Sequence, residues 1–237
     1  MRRTYDKVDC KAILFYADST LDDNIGKVCR ESISRAALPI TSVTIKPLDF
    51  GRNFVSPTPK SYLTLFENIL MGLEAIKDEI VFFCEADILY HPSHFQFTPE
   101  KHDTIYYNGN YWVVRLSDGF AVHYDMGPLS GLCAFRDILL KHYKERVEYV
   151  KKNGFDYRMG FEPMSHRRIK WKNMYKMERF YPEFPNLDLY HGANLTRRKW
   201  SPDKFQTRPK FWEESTVKNI PGWANLPELV ESMKYGL

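Results

Sequence analysis

Residues 11–16, Lys-Ala-Ile-Leu-Phe-Tyr, form an apolar run that predicts a first β-strand. A polar turn, Ala17-Asp18-Ser19-Thr20, follows, and Asp22 or Asp23 can cap the next segment. There Ile25, Val28, Cys29, Ile33, Ala36 and Ala37 share one face at helical spacing, with Pro39 beyond the end. The β-branched run 41–45 predicts a second strand. Strand, helix and strand make a parallel βαβ unit with a right-handed crossover. A loop over 46–60, rich in Pro and Gly, leads to Ser61, which caps a helix running through Lys77. Its apolar face is Tyr62, Leu65, Phe66, Ile69, Leu70, Leu73 and Ile76. Residues 80–84, Ile-Val-Phe-Phe-Cys, are apolar throughout and predict a buried strand that stops at Glu85-Ala86-Asp87.

Beyond Pro92 the pattern changes. Residues 104–114 are aromatic and β-branched, with turn chemistry at Asn108-Gly109-Asn110, and predict one or two strands in a hairpin. A short strand over 131–135 and a helix over 138–151 follow, the helix carrying Leu139, His142, Tyr143, Arg146 and Val150. From Asn153 onward the regular pattern gives way to Gly, Pro, aromatic and basic residues. This is the pattern of an α/β protein with a mixed, mostly parallel central sheet. The 237 residues, without internal repeat or linker, predict a single domain over 1–237 with an irregular basic C-terminal third.

Composition narrows the class. No apolar run approaches the ~20 residues of a membrane span, and the N-terminus lacks a leader's apolar stretch, so a cytoplasmic location is expected. Cys10, Cys29, Cys84 and Cys133 form no C-x-x-C pair, and three of them sit inside apolar patterns as core thiols. Charge is unevenly spread. Between residues 166 and 210, twelve Lys and Arg face four Asp and Glu, a local +8 inside a chain of +4, so the remainder is −4.

Candidate chemistry begins at Glu85-x-Asp87. Past a strand end, two acids one residue apart can converge on one hard cation such as Mg²⁺ or Mn²⁺, and a diphosphate leaving group needs such a cation. The competing reading is a surface acid pair, which the buried strand before it disfavours. His191 follows a short apolar segment and precedes Gly192; it is a metal-ligand candidate or a structural histidine. His91 and His94 flank Pro92 and read as loop-orienting groups. Glu162, in Met159-Gly160-Phe161-Glu162-Pro163, is a candidate general base, with Asp125 and Asp156 in reserve; alternatively it pairs with Arg167 or Arg168. Neither G-x-G-x-x-G nor a Walker A loop is present, which disfavours dehydrogenases and P-loop kinases.

The layout resembles the GT-A class of nucleotide-sugar glycosyltransferases, and more closely phage-encoded GT-A-like proteins. The residues that carry this are the 85–95 block beginning Glu85-Ala86-Asp87, Tyr106-Tyr107-Asn108, Met159-Gly160-Phe161-Glu162-Pro163 and His191-Gly192-Ala193-Asn194-Leu195-Thr196. The resemblance implies a Rossmann-like nucleotide-sugar-binding half over 11–95 and an acceptor half over 96–237. It implies Asp87 as metal ligand with His191 completing the site and Glu85 assisting, and a UDP-sugar as the expected donor. Donor recognition would fall to Asp18, Ser19, Asn53, Glu85 and Asp87, and catalysis to Asp87 and Glu162. Glu in place of the first Asp of the commoner D-x-D leaves the role of Glu85 open.

The basic third interleaves cations with aromatic residues, a pairing that suits phosphates and bases. Arg167, Arg168, Trp171, Arg197, Arg198 and Trp200 are the acceptor candidates, and the phage-like resemblance implies a hydroxymethylated pyrimidine in DNA, which would be flipped out of a duplex. Rival readings are a cell-envelope glycan or small-molecule acceptor, a nucleotidyltransferase, and a non-catalytic nucleic-acid-binding protein. A solvated basic face over an aromatic core is the plain alternative.

Overall fold

The first apolar run becomes an interior strand, paired along both of its edges. The computed structural model describes residues 10–156, 159–163, 175–192, 194 and 198–234. The first half runs β1 (Lys11–Ala17), α1 (Asp23–Ser34), β2 (Ile40–Thr44), β3 (Arg52–Val55), α2 (Tyr62–Ala75), β4 (Ile80–Cys84) and β5 (Ile88–Leu89). The second runs β6 (Thr104–Asn108), β7 (Tyr111–Arg115), β8 (Phe120–His123), β9 (Leu132–Phe135), α3 (Arg136–Asn153), β10 (Lys176–Phe180), β11 (Asn186–Tyr190), β12 (Glu213–Thr216) and α4 (Leu226–Lys234). A seven-stranded sheet has the order β10-β6-β9-β4-β1-β2-β3. Only β9 runs against its neighbours β4 and β6; the other pairings are parallel. The mixed, mostly parallel α/β sheet expected from the sequence is therefore present. A second, five-stranded sheet has the order β12-β8-β7-β11-β5.

Local chemistry explains the helix ends. Asp22 Oδ1 accepts from the Asn24 backbone N–H at 2.8 Å at the start of α1, and Ser61 Oγ accepts from Thr64 N–H at 3.0 Å at the start of α2; both are N-caps. α1 ends earlier than its apolar spacing predicts: Ala36 and Ala37 lie beyond it, and Ala37 turns to φ +52°. α2 likewise stops at Ala75, because Ile76 is extended. Gly72 lets α2 sit close on the sheet. A Cβ there would meet Leu14 Cδ1 at 2.2 Å and Val43 Cγ2 at 3.1 Å.

Strand alternation splits the core into two faces. Leu14 and Phe83 pack with Phe66 of α2 and Tyr143 of α3, while Ile13, Phe15, Phe82 and Tyr90 pack on the opposite face. A third cluster joins α1 and α4 to the second sheet through Ile25, Leu89, Leu187 and Val230. Full burial of each such side chain contributes roughly 1.5–3 kcal/mol.

Three expectations are corrected. Residues 104–114 are not a hairpin: β6 pairs with β9 and β10, whereas β7 pairs with β8 and β11, so Gly109 and Asn110 pass the chain from one sheet to the other. Apolar alternation is the same for both sheets and cannot show that change of partner. The loop 46–60 contains β3, an edge strand too short to announce itself. The C-terminal third is less irregular than expected, since β10, β11, β12 and α4 lie within it. Among the described residues, no helix is long and apolar enough to cross a membrane.

Candidate active site

β1 pairs with β2 on one side and β4 on the other, so the chain winds away from β1 in both directions. Such a switch point opens a crevice at the carboxyl ends of the strands. Phe15 lies opposite Cys84 in the register, which sets the turn after β1 beside the acids after β4. A cleft of ≈1040 Å³ opens there. Its walls are Asp18, Ser19 and Thr20, the first turns of α1 (Asp23, Gly26, Arg30), Lys46 and its neighbours after β2, the start of α2 from Lys60 to Asn68, and Glu85 to Asp87. His191 and Asn194 arrive from far along the chain. Two capped helix N-termini thus border one cleft, an arrangement that favours anions.

The two acids have separate surroundings. Tyr16 donates its hydroxyl to Glu85 Oε1 at 2.7 Å. Burial, then the nearby Asp87 charge, pushes the Glu85 carboxyl up to about 8, with the Tyr16 bond opposing the rise. Asp87 Oδ2 instead accepts from Asn194 Nδ2 at 3.0 Å and lies 3.7 Å from His191 Nε2. Asn194 also takes the His191 backbone N–H on Oδ1 at 2.9 Å and donates to the Leu189 carbonyl at 3.0 Å. The Leu189 N–H donates to the Asp87 carbonyl at 3.0 Å, so β11 is laced to the corner after β4. Behind them Asp188 is buried and ion-paired with Arg198. Burial raises Asp188 to about 6, with Arg198 holding it down.

The donor set is compatible with a hard divalent cation. Mg²⁺ sites commonly use one or two carboxylates and leave the rest of the shell to phosphate and water, and Mn²⁺ accepts imidazole as well. Asp87 and His191 converge as two side chains of the kinds such a cation accepts, while Glu85 is engaged by Tyr16. Among the described residues no group of three or more His, Cys, Asp or Glu is placed to hold a metal by itself.

Other expected residues are distributed differently. Asp18 and Ser19 line the cleft. Burial would raise Asp18, but its ion pair with Lys60 and its bonds from Thr20 hold it below the usual carboxylate range. Ser19, at φ +57°, accepts from the Lys46 N–H at 3.1 Å. Asn53 is corrected. Its amide donates to Ser42 Oγ at 2.9 Å and Thr44 Oγ1 at 3.0 Å, and accepts from Leu48 N–H at 3.1 Å, so it braces the loop that lines the cleft and does not line the cleft itself. Glu162 also stands outside the cleft lining. Its carbonyl accepts from buried Arg146 at 3.2 Å, and its charge reaches Glu85. Arg198, expected on an acceptor face, is drawn inward by Asp188. Trp200 packs edge-on to Tyr190 and lies under the Arg115 guanidinium at 4.8 Å. Arg167, Arg168, Trp171 and Arg197 lie outside the described residues.

Sequence reasoning missed Tyr16, Asn68, Asp188 and the bracing role of Asn194. An acid between two leucines, as in Leu187-Asp188-Leu189, was the available signal for a buried charge needing a partner.

No protein-family model matches the chain, and no curated protein sequence does. Among solved structures, the chain is similar to a glycosyltransferase involved in glycosylation of the major capsid of PBCV-1, at 8% identity and TM-score 0.46, over 73% of this chain and 82% of that one. It is similar to the apo-form glycosyltransferase GlyE of Streptococcus pneumoniae at 12% identity and TM-score 0.38, over 70% and 44%. It is similar to the inositol-1-phosphate CTP transferase of T. maritima at 11% identity and TM-score 0.38, over 97% and 98%.

Proposed function

We propose that this protein is a metal-dependent glycosyltransferase that moves a sugar from a nucleotide sugar to a hydroxyl acceptor. The observation that carries the reading is the meeting of Asp87 with His191 in a cleft bordered by two helix N-termini, Lys46 and Lys60. That combination suits a diphosphate: cations and helix ends for its oxygens, and a carboxylate–imidazole pair for a cation shared with it. Asp87 and His191 would hold Mn²⁺ or Mg²⁺, which neutralises charge on a departing nucleoside diphosphate when bound. Asp18 and Ser19 shape the floor after β1. Tyr16 fixes the orientation of Glu85, and Asn194 fixes that of Asp87. Glu162, outside the cleft lining but close enough for its charge to act on Glu85, is the carboxylate we assign to take the proton of an acceptor hydroxyl, and Arg146 anchors its backbone.

For the acceptor, we favour a hydroxymethylated pyrimidine in DNA. Lys199, Lys204, Arg208 and Lys210 are exposed along one segment after β11, a pattern that suits a polyanion.

The test is nucleotide release from a panel of nucleotide sugars with and without Mn²⁺. Asp87→Asn is expected to abolish Mn²⁺-dependent release while leaving DNA affinity nearly unchanged. Full activity in that variant would remove the metal assignment. DNA affinity is expected to fall steeply with salt; a flat response would redirect the acceptor toward a neutral glycan.

A further inference from the structure

Asn68 lies on the cleft face of α2, seven residues after the Ser61 cap. Ser61, Thr64, Leu65 and Asn68 follow the i, i+3, i+4, i+7 spacing that aligns side chains along one face of a helix, and all four line the cleft. Asn68 is only 5% exposed. Its carboxamide oxygen is shut away from solvent and has no hydrogen-bond partner among the described residues. Two hydroxyls lining the same cleft are already engaged: Tyr16 gives its hydroxyl to Glu85 at 2.7 Å, and Thr64 gives its own to the Pro59 carbonyl at 2.6 Å. A buried carboxamide without a partner destabilises the fold by the desolvation it has suffered. At the wall of a cleft, that cost has a natural use: the missing partner is a ligand.

The chemistry of the missing partner can be narrowed. Asn68 is neutral and stands about 10 Å along α2 from the cap at Ser61. The positive lining, Lys60, Lys46 and Arg30, belongs to the start of α2, to the loop after β2 and to α1. A phosphate is better served there. A 180° turn of the carboxamide offers either a donor or an acceptor, which matches a hydroxyl, a group that can accept from the amide or donate to it. We propose that Asn68 is a specificity-determining residue that hydrogen-bonds a hydroxyl on the uncharged part of the donor, in the ribose or the transferred sugar. This rests on the nucleotide-sugar reading of the cleft. It also implies selectivity, because a buried polar group made to bond a hydroxyl strongly disfavours an analogue that lacks it.

The experiment measures binding to the full chain with Asn68→Leu, close in shape but without hydrogen-bonding atoms, and with Asn68→Ala, which removes the group without adding bulk. Circular dichroism confirms folding. Probes are UDP, GDP, ADP, CDP and dTDP, each free and as its glucose or mannose derivative, with Mn²⁺. The free Asn68→Leu protein is expected to melt about 2–4 °C higher than wild type, since an unsatisfied amide is gone. Its affinity for the preferred nucleotide sugar is expected to fall about 10-fold or more. A loss confined to the sugar-bearing form places the hydroxyl on the transferred sugar; an equal loss with the free nucleotide places it on the ribose. If wild type binds the panel and both variants bind equally well, the role of Asn68 is overturned while the nucleotide-sugar reading stands. If wild type binds no member of the panel, that reading falls, and this inference with it.

Discussion

Asn194 Nδ2 donates to Asp87 Oδ2 at 3.0 Å across 107 residues of sequence. The same carboxamide takes the His191 N–H, so one side chain sets the positions of both proposed ligands. Partners that orient ligands typically matter 10–100-fold for metal affinity. Asn194→Ala is therefore expected to raise the Mn²⁺ concentration for half-maximal nucleotide release about 10-fold or more, with little change in melting temperature. An unchanged Mn²⁺ requirement would reduce Asn194 to a loop brace.

Asp188 and Arg198 form the second coupling, and it is buried. Removing one partner leaves an uncompensated charge, a loss typically of about 3–5 kcal/mol for buried pairs. Arg198→Met is expected to destabilise the protein by about 3 kcal/mol in urea denaturation, because its side chain is partly accessible while that of Asp188 is not. Asp188→Leu combined with Arg198→Met should recover most of that loss. A double variant no better than the sum of the singles would show that the pair is not coupled.

His94 gives an acid-sensitivity prediction. It is fully buried between Phe82, Tyr90 and Phe180, and its Nδ1 faces the Asn108 amide at 3.1 Å. Burial depresses it to about 3, against roughly 6.5 in the unfolded chain. The unfolded state then binds a proton that the folded state refuses. Stability from this site is full above pH 6.5 and declines as pH falls toward 3, by several kcal/mol in all. In His94→Gln the decline between pH 6.5 and 4 should be markedly shallower than in wild type. Parallel curves of stability against pH would show that His94 is not the group responsible.

Gly72 seats α2 against Leu14 and Val43. Gly72→Ala is expected to destabilise by about 1–3 kcal/mol through overpacking, despite alanine's better helix propensity. A neutral or stabilising result in chemical denaturation would mean that Leu14 can move aside freely.

Much of the first half was legible because its signals are local. The apolar run before Glu85 became β4, and Ser61 capped the helix it precedes, since a serine three residues ahead of a backbone N–H needs nothing distant to bond it. His91 behaves as a loop-orienting group for a similar reason: its ring nitrogen accepts from the Ser93 N–H at 3.2 Å. Asn53 and Arg198 were misjudged because an amide or guanidinium has the same character in sequence whether it faces a ligand or another part of the chain.

By itself, then, the sequence determined the alternation of strand and helix, the parallel βαβ start, and the arrival of two acids at a strand end, because periodicity and capping act over a few residues. Only the tertiary structure decided that β6 and β7 part into different sheets, that Asp188 takes Arg198 inward, that Asn194 reaches Asp87, and that the Asn68 carboxamide oxygen has no partner among the described residues. Those outcomes depend on which surfaces meet, and a buried polar group takes whichever partner the packing brings within about 3 Å.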